Sequence, residues 1–361
     1  MKRIAYCLAG LALLAWIVAA LAWTLGANAQ WGLWAALGLN SAGLAVNFHP
    51  RLRSIAFTVW VVVSVALAMI YPGLFQSWFG YDLKGLIVPL IQIIMFGMGT
   101  TLSLADFARV ARMPWPIAVG MVLQFTIMPL GGYLIATGFG FPAEIAAGVV
   151  LIGSCPGGVA SNVMTYLARG NVPLSVTMTA CSTLMAPVMT PLMMRLLAGQ
   201  MVPVDFMEML LGILNMILLP IVAGLVVNRL FSAGAWIHRA LPVVSMAGIC
   251  LILAIITARA YEELSAVGVS LLAAAVLHNL TGYTLGYWGA RLGRLPEADC
   301  RTVAIEVGMQ NGGMSAGLAM NVLHNAKTAL AAVVFGPWMN VSGSLLATWW
   351  RRKPRDAPSP E

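Results

Sequence analysis

Apolar runs of roughly the twenty residues that a helix needs to cross the hydrocarbon core alternate with short polar joints along nearly the whole chain. Cutting at the charged or Pro/Gly-rich joints predicts helices near residues 4–25, 31–48, 55–74, 85–104, 114–138, 143–167, 172–197, 206–228, 240–258, 265–290, 298–322 and 326–349. The predicted fold class is an all-α polytopic membrane protein with about twelve transmembrane helices.

Composition agrees with that pattern. With 60% hydrophobic and 9% charged residues and a mean hydropathy of +0.89, the chain has too little polar surface to face water. The net charge of +8 does not point to nucleic acid, because Lys and Arg sit singly or in short groups between apolar runs and form no basic stripe. Orientation in lipid explains it. With the N-terminus inside, all twenty basic residues fall on the cytoplasmic side except Lys84, Arg195, Arg259 and Lys327. Adding or dropping one internal helix would reverse every later loop, so the bias supports the helix count beyond residue 50. The expected location is a bacterial inner membrane, with both termini cytoplasmic and Arg351-Arg352-Lys353-Pro354-Arg355 as a stop-transfer cluster able to meet anionic lipid. The first run, with Lys2-Arg3 before it and Ala27-Asn28-Ala29 after it, also resembles a secretory signal. It exceeds the roughly 7–15 residues of a signal core, which favours a retained helix. Cys7, Cys155, Cys181, Cys250 and Cys300 show no CxxC and no pairing-prone spacing, so neither a disulfide nor a transition-metal site is expected, and no cofactor.

Two clusters are dense enough in Gly and Pro to interrupt a helix: Gly153-Ser154-Cys155-Pro156-Gly157-Gly158-Val159-Ala160-Ser161-Asn162, and Glu306-Val307-Gly308-Met309-Gln310-Asn311-Gly312-Gly313. Either alone could be a kink or a close-packing face. Their positions say more: ten helices counted from residue 50 divide into five and five, and the breaks fall in the fourth of each set. An odd number of spans per half inverts one half relative to the other, the plan of many secondary transporters, in which broken helices cross near the midplane. The expected organisation is two additional N-terminal helices (1–50), a first inverted repeat (51–200), a second (201–350) and a basic tail (351–361).

Of the twelve acidic residues, eleven lie in predicted loops or at span ends, and Glu306 alone lies mid-span. An ionised carboxylate there is expensive unless paired. Because no Lys or Arg shares that depth, Na⁺ or a proton is the economical partner, with a protonated structural glutamate as the bland alternative. Oxygen-bearing side chains gather at the same depth. Ser161 and Asn162 close the first break, Ser175 and Thr179 share a helix face at i, i+4, and Glu306 and Gln310 share that spacing. Gln124 is a lone amide in an apolar helix, a pattern that more often marks a helix-to-helix hydrogen bond.

The segments GSCPGGVASNVMTYLARGN, LSVTMTACSTLMAPVMTP and EVGMQNGG, with FGMGTTLSLADF before them and WMNVSGS after, resemble the bile acid:sodium symporter family over about residues 55–349. The resemblance implies a ten-helix core with a panel domain, here spans 3, 4, 8 and 9, and a core domain, here spans 5–7 and 10–12. It implies a first sodium site at Ser161, Asn162, Ser175, Thr179 and Glu306. A second would comprise Gln124, Glu306, Val307, Met309 and Gln310, with Val307 and Met309 acting through backbone carbonyls. It also implies a cavity for a small organic anion lined by Asn311, Asn340, Val159 and Ala160. Val159 and Met339 stand where relatives can carry Thr and His, so the particular anion, whether pantoate, a keto acid or a sterol acid, stays open, and the two N-terminal spans lie outside the ten-helix pattern.

The expected function is sodium-coupled symport of an organic anion by alternating access, with proton coupling at Glu306 or a non-transporting sensor as alternatives. An intramembrane enzyme would need a nucleophile and base, or metal ligands, at one depth. The chain has no HExxH and no second mid-span acid. His278-Asn279 could relay protons, although a buried His bonded to a neighbouring helix is the plainer expectation.

Overall fold

The computed structural model describes residues 2–24, 28–49, 56–231 and 235–352. Arg51, Arg53, Ala27 of the signal-like triplet, and Lys353 and Arg355 of the tail lie outside the described residues. The helices are α1 (Lys2–Thr24), α2 (Asn28–Phe48), α3 (Ala56–Ile70), α4 (Ile87–Gly99), α5 (Leu104–Ala108), α6 (Pro114–Gly138), α7 (Ala143–Ser154), α8 (Ala160–Leu167), α9 (Val172–Ala198), α10 (Phe206–Ile213), α11 (Leu219–Phe231), α12 (Ala235–Arg259), α13 (Tyr261–Leu292), α14 (Glu297–Gly308), α15 (Gly312–Asn321) and α16 (Ala326–Arg352). Among the described residues the only strands are β1 (Ser77–Trp78) and β2 (Tyr81–Asp82), a small hairpin between α3 and α4. This is an all-α, multi-pass membrane protein. Among the described residues, six helical stretches are long and apolar enough to cross a bilayer without interruption: Ile4–Thr24, Pro114–Gly138, Val172–Ala198, Phe206–Leu230, Tyr261–Leu292 and Ala326–Arg352.

Three local features explain where helices start and stop. Asn171 accepts from the Leu174 amide and Asp205 from the Glu208 amide, capping α9 and α10. A π-turn at Leu214–Leu218 joins α10 to α11 without a loop. The predicted spans 143–167 and 298–322 are each two shorter helices, because the Pro and Gly clusters end the backbone ladder in the middle.

Close backbone approach does much of the packing. In α4 and α11, a Cβ on Gly99 would lie 2.1 Å from the Ile221 carbonyl oxygen, and one on Gly224 would lie 2.2 Å from that of Phe96. α12 packs on α3 and α4, while α13 packs on α6, α14 and α16, and α7 lies against α6, α9 and α16. α1 and α2 pair with each other, and α2 leans on α3. One face of the bundle carries the hairpin and the ion pairs Arg259–Asp82, Lys327–Glu263 (2.9 Å) and His324–Glu208 (3.9 Å). The opposite face is tied by Trp115 donating to the Gly293 carbonyl (2.9 Å) and Asn171 donating to Asp299 (2.8 Å).

Candidate functional site

α7 stops at Ser154 and Cys155 turns extended (φ −76°, ψ 157°), since Pro156 has no amide hydrogen to continue the ladder. α14 stops at Gly308, and Met309 is likewise extended (φ −114°, ψ 99°). The two freed segments run antiparallel, with Gly157 opposite Gln310. The Gly158 amide donates to the Met309 carbonyl (2.8 Å) and the Asn311 amide to the Pro156 carbonyl (2.9 Å). Peptide groups that no helix can satisfy therefore satisfy one another, which is the condition for irregular backbone at bilayer depth.

Glu306 lies in the last turn of α14 and is 2% exposed. Ser161 of α8 and Ser175 of α9 donate their hydroxyls to Oε1, and Thr179 of α9 donates to Oε2 at 2.9 Å. None of the ion pairs among the described residues involves Glu306. The Asn162 Oδ1 is buried without a hydrogen-bond partner, one residue beyond Ser161. A carboxylate and an unpaired amide oxygen at this depth are hard oxygen donors lacking a positive partner. Of the first expected set, Ser161, Ser175, Thr179 and Glu306 are thus brought together, by the sequence neighbours α8 and α9 and the distant α14, while Asn162 makes no hydrogen bond to the other four.

Of the second expected set, Gln124, Gln310 and the Val307 carbonyl form a polar chain, which no hydrogen bond joins to Glu306. Gln124 of α6 donates to the Cys155 carbonyl (3.0 Å) and to Gln310 Oε1 (2.7 Å), and Gln310 donates to the Val307 carbonyl (2.6 Å). Gln124 thereby bridges both breaks. The Val307 and Met309 carbonyls each already accept one hydrogen bond and keep a second lone pair. Glu306 and Gln310 are not stacked one turn apart as their spacing suggests, because α14 ends between them.

Asn311, Asn340, Val159 and Ala160 line a cavity of about 330 Å³ between α3, α4 and α12 on one side and the crossing with α16 on the other. Among the described residues no Lys, Arg, His, Asp or Glu lines it; its wall is mostly apolar, with Met95, Met98, Met309 and Met339 among the contributors. The side chains of both asparagines are partly committed: Asn311 Oδ1 caps α15 by accepting from Met314 (3.0 Å), and Asn340 donates to the Gly336 carbonyl (2.9 Å). The donors left over are the Asn311 Nδ2, the Ser245 hydroxyl and several backbone amides. The amides of Val159, Ala160 and Gly313, at the starts of α8 and α15, find no acceptor among the described residues.

Sequence reasoning missed the braces around the crossing. Asn279 of α13 donates to the Gly308 carbonyl (2.6 Å) and accepts from Ser342, and Ser182 accepts from the Gly157 amide (3.3 Å). Ser182 extends the hydroxyl stripe of Ser175 and Thr179 by one turn, a signal that could have found it. His278 is buried, with Nε2 at 2.9 Å from the Met128 carbonyl.

Two helices that stop and restart against each other in an apolar bundle, around a buried carboxylate and beside a cavity, define a membrane transporter. Comparison with known proteins agrees: the family model described as the sodium bile acid symporter family matches residues 88–267. An uncharacterized sodium-dependent transporter of Bacillus subtilis, YocS, is 43% identical over 299 residues, spanning 82% of this chain and 91% of that protein. A probable chloroplastic sodium/metabolite cotransporter of Arabidopsis thaliana, BASS1, is 35% identical over 87% of this chain and 77% of its own length. The human ileal sodium/bile acid cotransporter is 34% identical over 69% and 73% respectively. The chain belongs to the sodium bile acid symporter family, and these relatives are transporters by name, none of them an enzyme.

Proposed function

We propose that this protein couples inward Na⁺ movement to uptake of a small organic monoanion. Glu306 is the observation that carries the reading: a carboxylate buried at the crossing, ringed by hydroxyls, with the unpaired Asn162 oxygen one residue beyond Ser161 and no side-chain cation paired with it. Removing such a charge from water costs several kcal/mol unless a cation balances it. Na⁺ at Ser161, Asn162, Ser175, Thr179 and Glu306 supplies that balance. A second Na⁺ at Gln124, Glu306, Val307, Met309 and Gln310, reached once Gln310 turns its oxygen inward, would leave the crossing with a net positive charge that the carried anion offsets.

The cavity defines the anion. Each half-helix N-terminus offers about half a positive charge, so α8 and α15 together balance roughly one carboxylate through the free amides of Val159, Ala160 and Gly313, with Asn311 and Asn340 at the rim. With no basic side chain among the described lining residues, the lining itself offers no side-chain partner to a second negative charge. The Met-rich wall suits an apolar body and adapts to its shape.

The supporting architecture is the inverted five-plus-five arrangement within residues 51–350, preceded by two extra helices in residues 1–50, for about twelve spans. A panel of α3, α4, α10, α11 and α12 faces a core of α6–α9 and α13–α16, and the core moves against the panel for alternating access. The concentration of arginines on the face opposite the hairpin, among them Arg109, Arg112, Arg169, Arg291 and Arg294, favours that face, both termini included, as the cytoplasmic side of a bacterial inner membrane. Uptake of a panel of monocarboxylates into proteoliposomes, with Na⁺ replaced by K⁺ or choline, tests the coupling. Transport should collapse without Na⁺; equal uptake in all three salts, or uptake driven by a pH jump alone, would overturn it.

A further inference from the structure

A second polar crevice, of about 550 Å³, opens on the hairpin face between the β1–β2 hairpin, the end of α12 and the end of α15. Its chemistry is the reverse of the Met-walled cavity. Lys84, Arg259 and His324 line it together with Gln76, Ser77 and a single carboxylate, Asp82. Arg259 gives Nη2 to Asp82, while its Nε is buried without a partner among the described residues. Lys84 is half-buried and forms none of the ion pairs among the described residues. Donors outnumber acceptors here, and one donor is already removed from water without a bond, an expensive state unless something arrives to accept it.

The crevice and the cavity also share a path. α15 starts at the cavity with Gly312 and Gly313 and reaches the crevice near Met320, about 15 Å for ten helical residues. Between them the seam is shut, because Ile91 fills the place where a Cβ on Gly317 would stand, its Cδ1 2.3 Å from that position.

We propose that this crevice is an anion-receiving site, in which Arg259 and Lys84 hold the carboxylate of the organic anion at the mouth of the closed seam before it passes to the amides at the crossing. It rests on the symport reading for its role, though not for its chemistry. A guanidinium fork is suited to a carboxylate, Arg259 leaves 25% of its side chain exposed, and Asp82 is its internal competitor. The Lys84 amide, and after it the Arg259 guanidinium, hold Asp82 below the usual carboxylate range, so Asp82 stays ionised and keeps the site weak enough to release.

Phenylglyoxal labelling of Arg259 in the purified full-length protein, read by mass spectrometry against the exposed Arg195 as internal reference, tests this with 3-methyl-2-oxobutanoate as the probe. At several times its Kd the probe should slow labelling about five-fold, at matched ionic strength, while the uncharged 3-methyl-2-butanone has no effect. The protection should persist in Glu306→Gln, and in Asp82→Asn it should appear at lower probe concentration. No protection beyond that of chloride, protection that disappears in Glu306→Gln, or protection by anionic lipid alone overturns the proposal. Lost protection with intact Na⁺-driven uptake sinks only this site; protection without any Na⁺-driven uptake sinks only the symport reading.

Discussion

The Ser161 hydroxyl donates to the Glu306 carboxylate across 145 residues of sequence, tying the restarted half of the first broken helix to the end of the second. A hydrogen bond to a charged group contributes roughly 1.5–3 kcal/mol. Ser161→Ala should therefore raise the Na⁺ concentration for half-maximal uptake by about ten-fold or more, while the maximal rate at saturating Na⁺ changes less. Uptake measured over a Na⁺ series checks this; an unchanged half-saturation value would remove Ser161 from the ion's surroundings.

A Cβ on Gly157 would stand 2.7 Å from Glu306 Oε2, so the carboxylate would have to move away from the hydroxyls that hold it. Gly157→Ala should abolish Na⁺-dependent uptake and lower stability by about 1–3 kcal/mol through overpacking. Gly138→Ala, where nothing lies within 4 Å of the added methyl, should leave both uptake and melting temperature close to those of the parent. The pair of variants, compared in detergent and in proteoliposomes, separates a specific crowding of the carboxylate from a general intolerance of larger residues.

Much of this arrangement was legible in the residues. Pro156 with Gly157-Gly158, and Gly308 with Gly312-Gly313, marked both interruptions because loss of an amide donor and of Cβ atoms are local properties. Glu306 stood out because an acid amid apolar residues is costly wherever the chain folds. What stayed hidden depends on distant partners: that Gln124 reaches both breaks, that Asn279 takes up the Gly308 carbonyl, and that the amides of Val159, Ala160 and Gly313 outnumber their acceptors. Spacing also misled at Gln310. The i, i+4 relation to Glu306 presumes a continuous helix, and the helix ends at Gly308. The crevice around Arg259 was invisible for the same reason, since its lining comes from three separated segments.

The α4–α11 contact should behave as a rigid joint. Ala at Gly99 or Gly224 would press a methyl to within 2.1 or 2.2 Å of a carbonyl oxygen on the facing helix, and neither backbone can yield without separating the helices. Each single variant should lose about 1–3 kcal/mol, seen as a lower melting temperature. Because the two sites share one contact, the double variant should cost less than the sum. Strict additivity in thermal unfolding would argue against a shared joint.

The central claim is that Na⁺ neutralises Glu306 where the broken helices cross. The melting temperature of the purified protein in NaCl against equimolar KCl, for the parent and for Glu306→Ala, tests it without needing the transported anion. A bound ion stabilises by mass action, about 2.7 kcal/mol at a hundred times its Kd, so the parent should melt higher in Na⁺ than in K⁺. The variant should melt equally in both. A Na⁺-specific rise that survives in Glu306→Ala, or none in the parent, would contradict the account.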